Sequence, residues 1–155
     1  MTIATFGAGC FWGVEAAFRE LDIIDAAVGY MGGTLDNPSY EDVCTGQSGH
    51  VEVVQIEFDP TITSYDQLLA KFWSCHNPTQ HNRQGPDRGS QYRSVIFYHD
   101  EAQRETAEAS KKSLDDSKEL SAPIATRIEA ATVFWRGEDY HQRYLEKRGQ
   151  AHCRL

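Results

Sequence analysis

The sequence predicts one mixed α/β domain in which helices pack against a β-sheet. Strand-like and helix-like segments alternate along the 155 residues, a pattern typical of helices packed on a sheet. No internal repeat, low-complexity run or Pro/Ser-rich linker divides them. A chain of this length buries roughly two-thirds of its unfolded surface in one core. A single domain is therefore expected over residues 1–155, with a mobile tail from about residue 148 because chain ends are seldom tied down.

Period-2 alternation and short apolar runs predict the strands. The clearest is Val51–Phe58, and Gly32-Gly33 ends the strand before it. Strands are expected at 2–6, 23–30, 51–58, near 93–99 and near 124–131. Their order in the sheet does not follow from the pattern.

Helical spacing and capping signals predict the helices. Apolar residues at positions 11, 14, 18 and 21 place Cys10 in the first turn of one helix. Capping boxes mark two further helix starts, namely Ser39 with Asp42 and Ser64 with Gln67. Helices are expected at 10–21, from 39 to Gly46, from 64 to Asn77-Pro78, at about 100–118 and at about 138–147. The intervening segment 79–92 is polar and rich in Gly and Pro, and loops that long are usually functional or mobile.

Charge and composition exclude several classes of function. Fifteen basic against 23 acidic residues give a net charge of −8, so nucleic acid and anionic membranes are poor partners. The first residues lack a signal peptide and no apolar run approaches the roughly 20 residues that span a bilayer. A soluble, cytoplasmic protein is therefore expected, or else a mature form whose leader has already been removed. The four cysteines have no C-x-x-C or other metal-ligand spacing, which argues against zinc and against a secreted disulfide scaffold.

Cys10 is the leading candidate for a reactive residue. At a helix start, unpaired backbone N–H groups and the helix dipole lower the pKa of a thiol, and the glycines around Cys10 leave room for close approach. The alternative is a small buried hydrophobe, a common fate of cysteine. Phe11 lies on the apolar helix face and is either core or pocket, whereas Trp12 is off that face and is the better candidate to line a pocket.

Glu52 is an acid in an unusual place. The period-2 rule puts it on the same strand face as Val54, Ile56 and Phe58, the face that a sheet buries. A carboxyl group there is desolvated, so its pKa rises and it can donate a proton at neutral pH. Alternatively, Glu52 sits at the strand end and reaches water.

Tyr40 and Tyr92 lie in loop or short-element segments, from which a hydroxyl can stabilise a developing oxyanion, although such rings more often simply pack. Asp87, in the long loop, is by default a turn residue. The histidines near these segments are more typical of surface or supporting residues than of a base; they are His50, His76 and His81. Cys153, near the chain end, is either an incidental cysteine or a thiol that can swing to another sulfur.

Five segments, taken together, resemble the A-type peptide methionine sulfoxide reductases. They are GCFWG at 9–13, NPSY at 37–40, TGQSGHVE at 45–52, FDP at 58–60 and DRGSQYRS at 87–94. They occur in the family's order and at similar spacing, and the similarity extends from about residue 6 to residue 144. The resemblance implies a two-layer α+β sandwich, with helices packed on a mixed sheet and long functional loops.

The resemblance also implies a role for each candidate. Cys10 attacks the sulfoxide sulfur, Phe11 and Trp12 hold the substrate's methyl group, and Asp87 helps to bind its main chain. The residues that polarise or protonate the oxygen are Glu52, Tyr40 and Tyr92. The implied reaction reduces the S epimer of methionine sulfoxide, free or in proteins, and so repairs oxidised proteins during oxidative stress.

The implied cycle passes through a sulfenic acid on Cys10 and a Cys10–Cys153 disulfide that thioredoxin reduces. No metal or cofactor is expected beyond this external thiol, and the chain is expected to act as a monomer. Two departures from the family bear on recycling. The tail is short and holds only Cys153, where many members have two recycling cysteines, and Cys75 sits where the family has none. Cys44 matches a position that is usually not redox-active and is assigned to packing.

Two other functions compete with this interpretation. Cys10 could be the nucleophile of an acyl transferase with a histidine as base, but no histidine lies in a segment that otherwise points to the same site. Alternatively, the aromatic residues could form a binding pocket with no catalysis, in which case Cys10→Ala would leave function intact.

Overall fold

The computed structural model describes residues 2–148, so the predicted tail and Cys153 lie outside the described residues apart from residue 148. The strands within this range are β1 Thr2–Ala8, β2 Asp25–Met31, β3 Val51–Phe58, β4 Arg83–Gln84, β5 Asp87–Arg88, β6 Ser94–Tyr98, β7 Arg127–Ala130 and β8 Trp135–Arg136. The α-helices are α1 Phe11–Phe18, α2 Tyr40–Cys44, α3 Tyr65–Ser74, α4 Glu101–Ser117 and α5 Tyr144–Lys147.

Six of the strands form one mixed sheet in the order β7-β6-β1-β3-β2-β8. Only β6 and β7 pair in parallel, and all the other neighbours pair antiparallel. The run β1-α1-β2-β3-α3-β6 has the β-α-β-β-α-β order of a split βαβ fold. Strands β4 and β5 form a separate two-stranded hairpin inside the long polar loop. The predicted class, helices packed on a mixed sheet with long loops, is confirmed.

The central strand β3 is covered on both faces. On one face its even-numbered residues Val54, Ile56 and Phe58 belong to the main core formed with the helices. On the other face Val51 and Val53 pack in a second apolar cluster, against which Phe134 also packs. Because successive side chains of a strand alternate between faces, Glu52 lies on the same face as Val54 and Ile56 and has little access to water.

Several predicted elements end elsewhere or are interrupted. Both capping boxes form as predicted, at the starts of α2 and α3. The predicted helix 138–147 is wrong: a 3-10 turn, Asp139–His141, is separated from α5 by Gln142, which is extended with ψ 127°, and by Arg143. Arg143 has φ 54°, and this left-handed backbone conformation cannot continue an α-helix. The two-residue strands were not predicted, because two residues are too short to show a period.

Candidate active site

Cys10 lies at the N-terminus of α1, as the N-cap residue. The preceding Gly9 has φ 97°, a conformation that L side chains rarely adopt, and a Cβ there would meet the side chain of Gln84 at 2.7 Å. Only glycine therefore allows the chain to leave β1 and present Cys10 at the helix start. Gln84 belongs to the β4–β5 hairpin, so this contact also packs the hairpin behind the Cys10 turn. Cys10 itself is half-buried.

Glu52 is buried, with only 1% of its surface exposed. Its Oε1 accepts a hydrogen bond from the backbone N–H of Phe11, the residue that follows Cys10, at 3.2 Å. Its Oε2 is buried without a hydrogen-bond partner among residues 2–148. Burial raises the pKa of Glu52 to about 8, opposed by the Phe11 hydrogen bond and assisted by the negative charge of Asp87. The carboxyl group is therefore mostly protonated at pH 7 and can donate that proton.

Two tyrosines interact electrostatically with this acid, and the resemblance implies a role for both. Tyr40 is the first residue of α2, and Tyr92 is the last residue of the 3-10 turn Ser90–Tyr92. Burial raises the pKa of both phenols, and the negative charge of Glu52 is the next largest cause for each. Charges on Asp87 and Cys10 act on Tyr92 in the same direction. The two hydroxyls thus stay protonated at neutral pH. The charge of Glu52 acts on both of them, and that of Cys10 acts on Tyr92.

The aromatic residues after Cys10 lie at different depths. Phe11 is fully buried in the main core, where its ring stacks on that of Tyr40 with centroids 6.3 Å apart. Trp12 is half-buried and stacks closely on Tyr144, with ring centroids 3.9 Å apart. Phe11 is therefore a core residue, and its ring also supports a partly exposed aromatic surface beside Cys10. Trp12, Tyr40 and Tyr144 provide the accessible part of that surface.

A bridging segment, residues 137–143, ties the C-terminal part of the described chain to this site. Glu138 accepts hydrogen bonds from the hydroxyl of Tyr30 at 2.8 Å and from the backbone N–H of Tyr40 at 3.0 Å. The backbone N–H of Arg143 donates to the buried carboxylate of Glu15 on α1 at 2.8 Å. The segment therefore fixes the start of α2 relative to α1, and these roles were missed when it was predicted as a plain helix.

The same segment holds two buried polar side chains. The amide of Gln142 donates to the carbonyl of Val28 and accepts from the N–H of Val28, which secures the segment to strand β2. His141 is fully buried and accepts a hydrogen bond at Nδ1 from the indole N–H of Trp12, at 2.9 Å. The sequence analysis found no histidine in a segment that otherwise points to the site, and it did not single out His141, which lies in the segment predicted as a plain helix. No local pattern links residue 141 to Trp12, because the two are 129 positions apart.

Two of the histidines considered above are structural. His50 accepts from the N–H of Gly33 at Nδ1 and donates from Nε2 to the carbonyl of Leu35. His76 donates from Nδ1 to the carbonyl of Phe72 and accepts at Nε2 from the hydroxyl of Ser94. In both rings each nitrogen already has a partner, so neither residue is available as a general base.

The remaining described cysteines are unlike one another. Cys44 was expected to be buried, but it is exposed, because α2 is only five residues long and buries Val43 alone. The Cys44 thiol lies beside the hydroxyl of Tyr40. Cys75 caps α3 and is half-buried, and burial raises the pKa of its thiol to about 12. A thiol with that pKa is almost wholly protonated at neutral pH and is a poor nucleophile.

Within residues 2–148, no group of three or more His, Cys, Asp or Glu side chains is arranged to hold a metal ion. No helix in the same range is long and apolar enough to cross a membrane.

The sequence of the chain matches a known protein family and several of its named members. A family model described as peptide methionine sulfoxide reductase matches residues 2–155. Proteins named peptide methionine sulfoxide reductase MsrA are 57% identical in Methanoculleus marisnigri, over 97% of this chain and 93% of the relative, and in Acidobacterium capsulatum, over 100% of both.

Solved structures of the yeast protein Mxr1 from Saccharomyces cerevisiae are also similar to this chain. The reduced form is 35% identical, with a TM-score of 0.91 over 98% of this chain and 88% of Mxr1. The complex of Mxr1 with Trx2 matches with a TM-score of 0.64 and 26% identity, over 92% of this chain and 84% of that one. The fold, the order of the motifs and the near-complete matches in length agree, and the chain belongs to the peptide methionine sulfoxide reductase family.

Proposed function

We propose that the protein reduces the S epimer of methionine sulfoxide to methionine with Cys10 as nucleophile and Glu52 as acid. The observation that carries these assignments is the carboxyl group of Glu52, which is buried, mostly protonated at neutral pH and bonded through Oε1 to the residue after Cys10. The sulfoxide-reducing activity itself follows from membership of the family.

In the first step, the Cys10 sulfur attacks the sulfoxide sulfur. The attack forms a transient bond between the two sulfurs while Glu52 gives its proton to the sulfoxide oxygen. The oxygen then passes, as a hydroxyl group, from the substrate sulfur to Cys10 Sγ: the substrate S–O bond and the transient S–S bond break, the S–O bond of the sulfenic acid forms, and methionine leaves. The net reaction is one sulfoxide plus one thiol to one thioether plus one sulfenic acid, so no outside oxidant or reductant enters. The helix N-terminus that follows Cys10 favours the thiolate that attacks.

The substrate oxygen needs hydrogen-bond donors as negative charge develops on it. Oε2 of Glu52 has no partner among residues 2–148, and the hydroxyls of Tyr40 and Tyr92, both of which feel the charge of Glu52, remain protonated at neutral pH. Preorganised donors of this kind lower the barrier because they need no reorientation during the reaction. Trp12 and Phe11 hold the methyl group, with the buried Phe11 ring as the floor of the pocket, and Asp87 binds the substrate's main chain.

In the second part of the cycle, the thiol of Cys153 attacks the sulfenic acid, which releases water and forms a Cys10–Cys153 disulfide. Thioredoxin then reduces that disulfide by dithiol exchange, with no further cofactor. Support for this partner comes from the similar Mxr1–Trx2 complex. Protein repair under oxidative stress, by a monomer in the reducing cytoplasm, is the setting that suits a cycle driven by thiols.

Acyl transfer is less compatible with the site. His141 engages Trp12 through Nδ1, and both ring nitrogens of His50 and His76 are occupied. A parallel assay of methionine sulfoxide and of a thioester substrate separates the two functions. We expect stoichiometric methionine and no Cys10-dependent acyl release, whereas acyl release without sulfoxide reduction would reject the proposal.

A further inference from the structure

The guanidinium group of Arg93 lies where three connecting segments of the chain meet. Its Nη1 donates a hydrogen bond to the carbonyl of Ser90 at 2.9 Å, and its Nη2 donates one to the carbonyl of Gly49 at 3.1 Å. A Cβ placed on Gly32 would lie 3.7 Å from Nη2, so the third segment passes beside the same group. The three segments are residues 32–39, 45–50 and 89–92.

Each segment leads to a residue proposed to act on the substrate oxygen. The 3-10 turn that Arg93 follows ends in Tyr92. Gly49 lies three residues before Glu52, at the entry to β3. The first segment leads to Tyr40, the first residue of α2. One side chain therefore lies against every segment that brings such a group to the oxygen.

The first two segments are tied to each other without Arg93. The N–H of Thr34 donates to the carbonyl of Ser48 at 2.9 Å, and His50 adds two further hydrogen bonds between them. The turn that carries Tyr92 needs outside support, because a single 3-10 turn has poor hydrogen-bond geometry of its own. Within the described part of the chain, the two bonds of Arg93 join this turn to the second segment.

We propose that Arg93 is a positioning residue for sulfoxide reduction, which holds the turn of Tyr92 against the segment that leads to Glu52. In this way it sets how the two groups meet the substrate oxygen. The inference rests on the proposed roles of Glu52 and Tyr92. Donors lower a barrier only where they are held in place beforehand, and a displacement of about 1 Å can slow a reaction about a hundredfold.

The shape of the guanidinium group, rather than its charge, suits this role. Arg93 forms no ion pair within residues 2–148. Its planar fork bonds two carbonyl groups at once, whereas a lysine ammonium is a point charge on a flexible stem. The pKa of Glu52 depends on burial, on the Phe11 hydrogen bond and on the charge of Asp87, and not on Arg93. Lysine at this position would therefore keep the charge and lose the bridge.

The first test is spectroscopic and does not depend on activity. NMR of the full-length labelled protein gives the carbonyl carbon shift of Gly49 and the ring signals of Tyr92, the latter assigned with Tyr92→Phe. In Arg93→Lys, we expect the Gly49 carbonyl to move upfield, because it loses a hydrogen bond, and the Tyr92 ring signals to move with it. The matched control is Arg127→Met, which removes an exposed arginine of the neighbouring strand β7 and should move neither. Tyr92 ring signals that stay in place in Arg93→Lys would overturn the proposal.

The second test separates the chemical step from binding. In single-turnover reduction of N-acetyl-methionine sulfoxide, Arg93→Lys and Arg93→Met should each lower the limiting rate roughly ten- to a hundredfold. The half-saturating concentration should stay within about threefold of wild type, because the methyl pocket is left intact. Arg127→Met should keep both values. A wild-type limiting rate in Arg93→Lys, or a change in the half-saturating concentration alone, would show that the bridge is not needed.

A double variant separates this inference from a general effect on the fold. Tyr92→Phe removes the hydroxyl that Arg93 positions, so adding Arg93→Lys to it should lower the rate by a much smaller factor than in the wild-type background. If the two effects simply multiply, Arg93 supports the fold as a whole and the proposal is wrong. If the wild-type enzyme forms no methionine, the proposed function fails instead, and the ring signals of Tyr92 still decide whether Arg93 positions it.

Discussion

Replacing Glu52 with glutamine removes one proton donor and leaves the shape of the side chain nearly unchanged. The amide can still accept the hydrogen bond that the N–H of Phe11 donates to Oε1, so Cys10 and α1 should stay in place. The amide cannot protonate the substrate oxygen. The substitution therefore tests the acid independently of the fold.

The size of the kinetic effect follows from the pKa. An ordinary glutamate is protonated in only about one molecule in 300 at pH 7, whereas a pKa of about 8 leaves about nine in ten protonated. Loss of a positioned general acid slows the chemical step by roughly a hundred- to ten-thousand-fold. We expect a fall in that range in the single-turnover rate for Glu52→Gln.

The same pKa predicts an effect on stability. Because the folded-state pKa is raised above the unfolded value of 4.5, the unfolded chain loses its proton first, and the wild type loses stability as pH rises from 4.5 to 8. Glutamine has no proton to lose. The stability of Glu52→Gln relative to wild type should therefore grow by about 3 kcal/mol between pH 5 and pH 8.

Two measurements check this prediction. Rapid-quench single-turnover kinetics at saturating sulfoxide give the chemical step, and urea unfolding at pH 5, 6, 7 and 8 gives the difference in stability. The matched control is Glu57→Gln, which makes the same substitution at a half-buried carboxylate on the other face of the same strand. A pH-independent stability difference for Glu52→Gln would refute the raised pKa, and a wild-type single-turnover rate would show that the oxygen gets its proton elsewhere.

Three further substitutions test the other assignments. Cys10→Ser should abolish reduction with the thermal midpoint nearly unchanged, because a hydroxyl is far less nucleophilic at neutral pH; substantial turnover would reject Cys10 as nucleophile. Cys153→Ser should still form about one methionine per enzyme without reductant and cycle with dithiothreitol, but lose thioredoxin-dependent turnover; loss of that turnover in Cys75→Ser instead would make Cys75 the recycling thiol. Tyr40→Phe should slow the chemical step about a hundredfold, the usual effect of one oxyanion donor, and a rate equal to that of Tyr65→Phe, remote from the site, would contradict its role.

The burial of Glu52 could be predicted from the sequence, but the size of its pKa shift could not. The period of β3 places Glu52 with Val54 and Ile56, and all of these are buried. The raised pKa also depends on coverage of both faces of β3 and on the nearness of Asp87 from the hairpin. Those contacts come from parts of the chain far apart in sequence, which no local pattern links.

The prediction of a continuous helix at 138–147 failed because the backbone changes direction within it. Gln142 is extended and Arg143 is left-handed, so the expected helix is interrupted. In the bridging segment that takes its place, His141 contacts Trp12 and Glu138 contacts Tyr40. Since arginine is not a usual left-handed residue, the sequence contains no signal for the turn. The hydrogen bond from the N–H of Arg143 to buried Glu15 gives a physical reason for it.

Mass spectrometry of the cysteines after one turnover tests the central claim most directly. The enzyme is mixed with excess methionine sulfoxide and no reductant, a sulfenic acid trap such as dimedone is added, and methionine is quantified in the same samples. In Cys153→Ser, we expect the trap on Cys10, in proportion to the methionine formed, and in the wild type a Cys10–Cys153 disulfide. Methionine formed while Cys10 remains an unmodified thiol in both proteins would contradict the account.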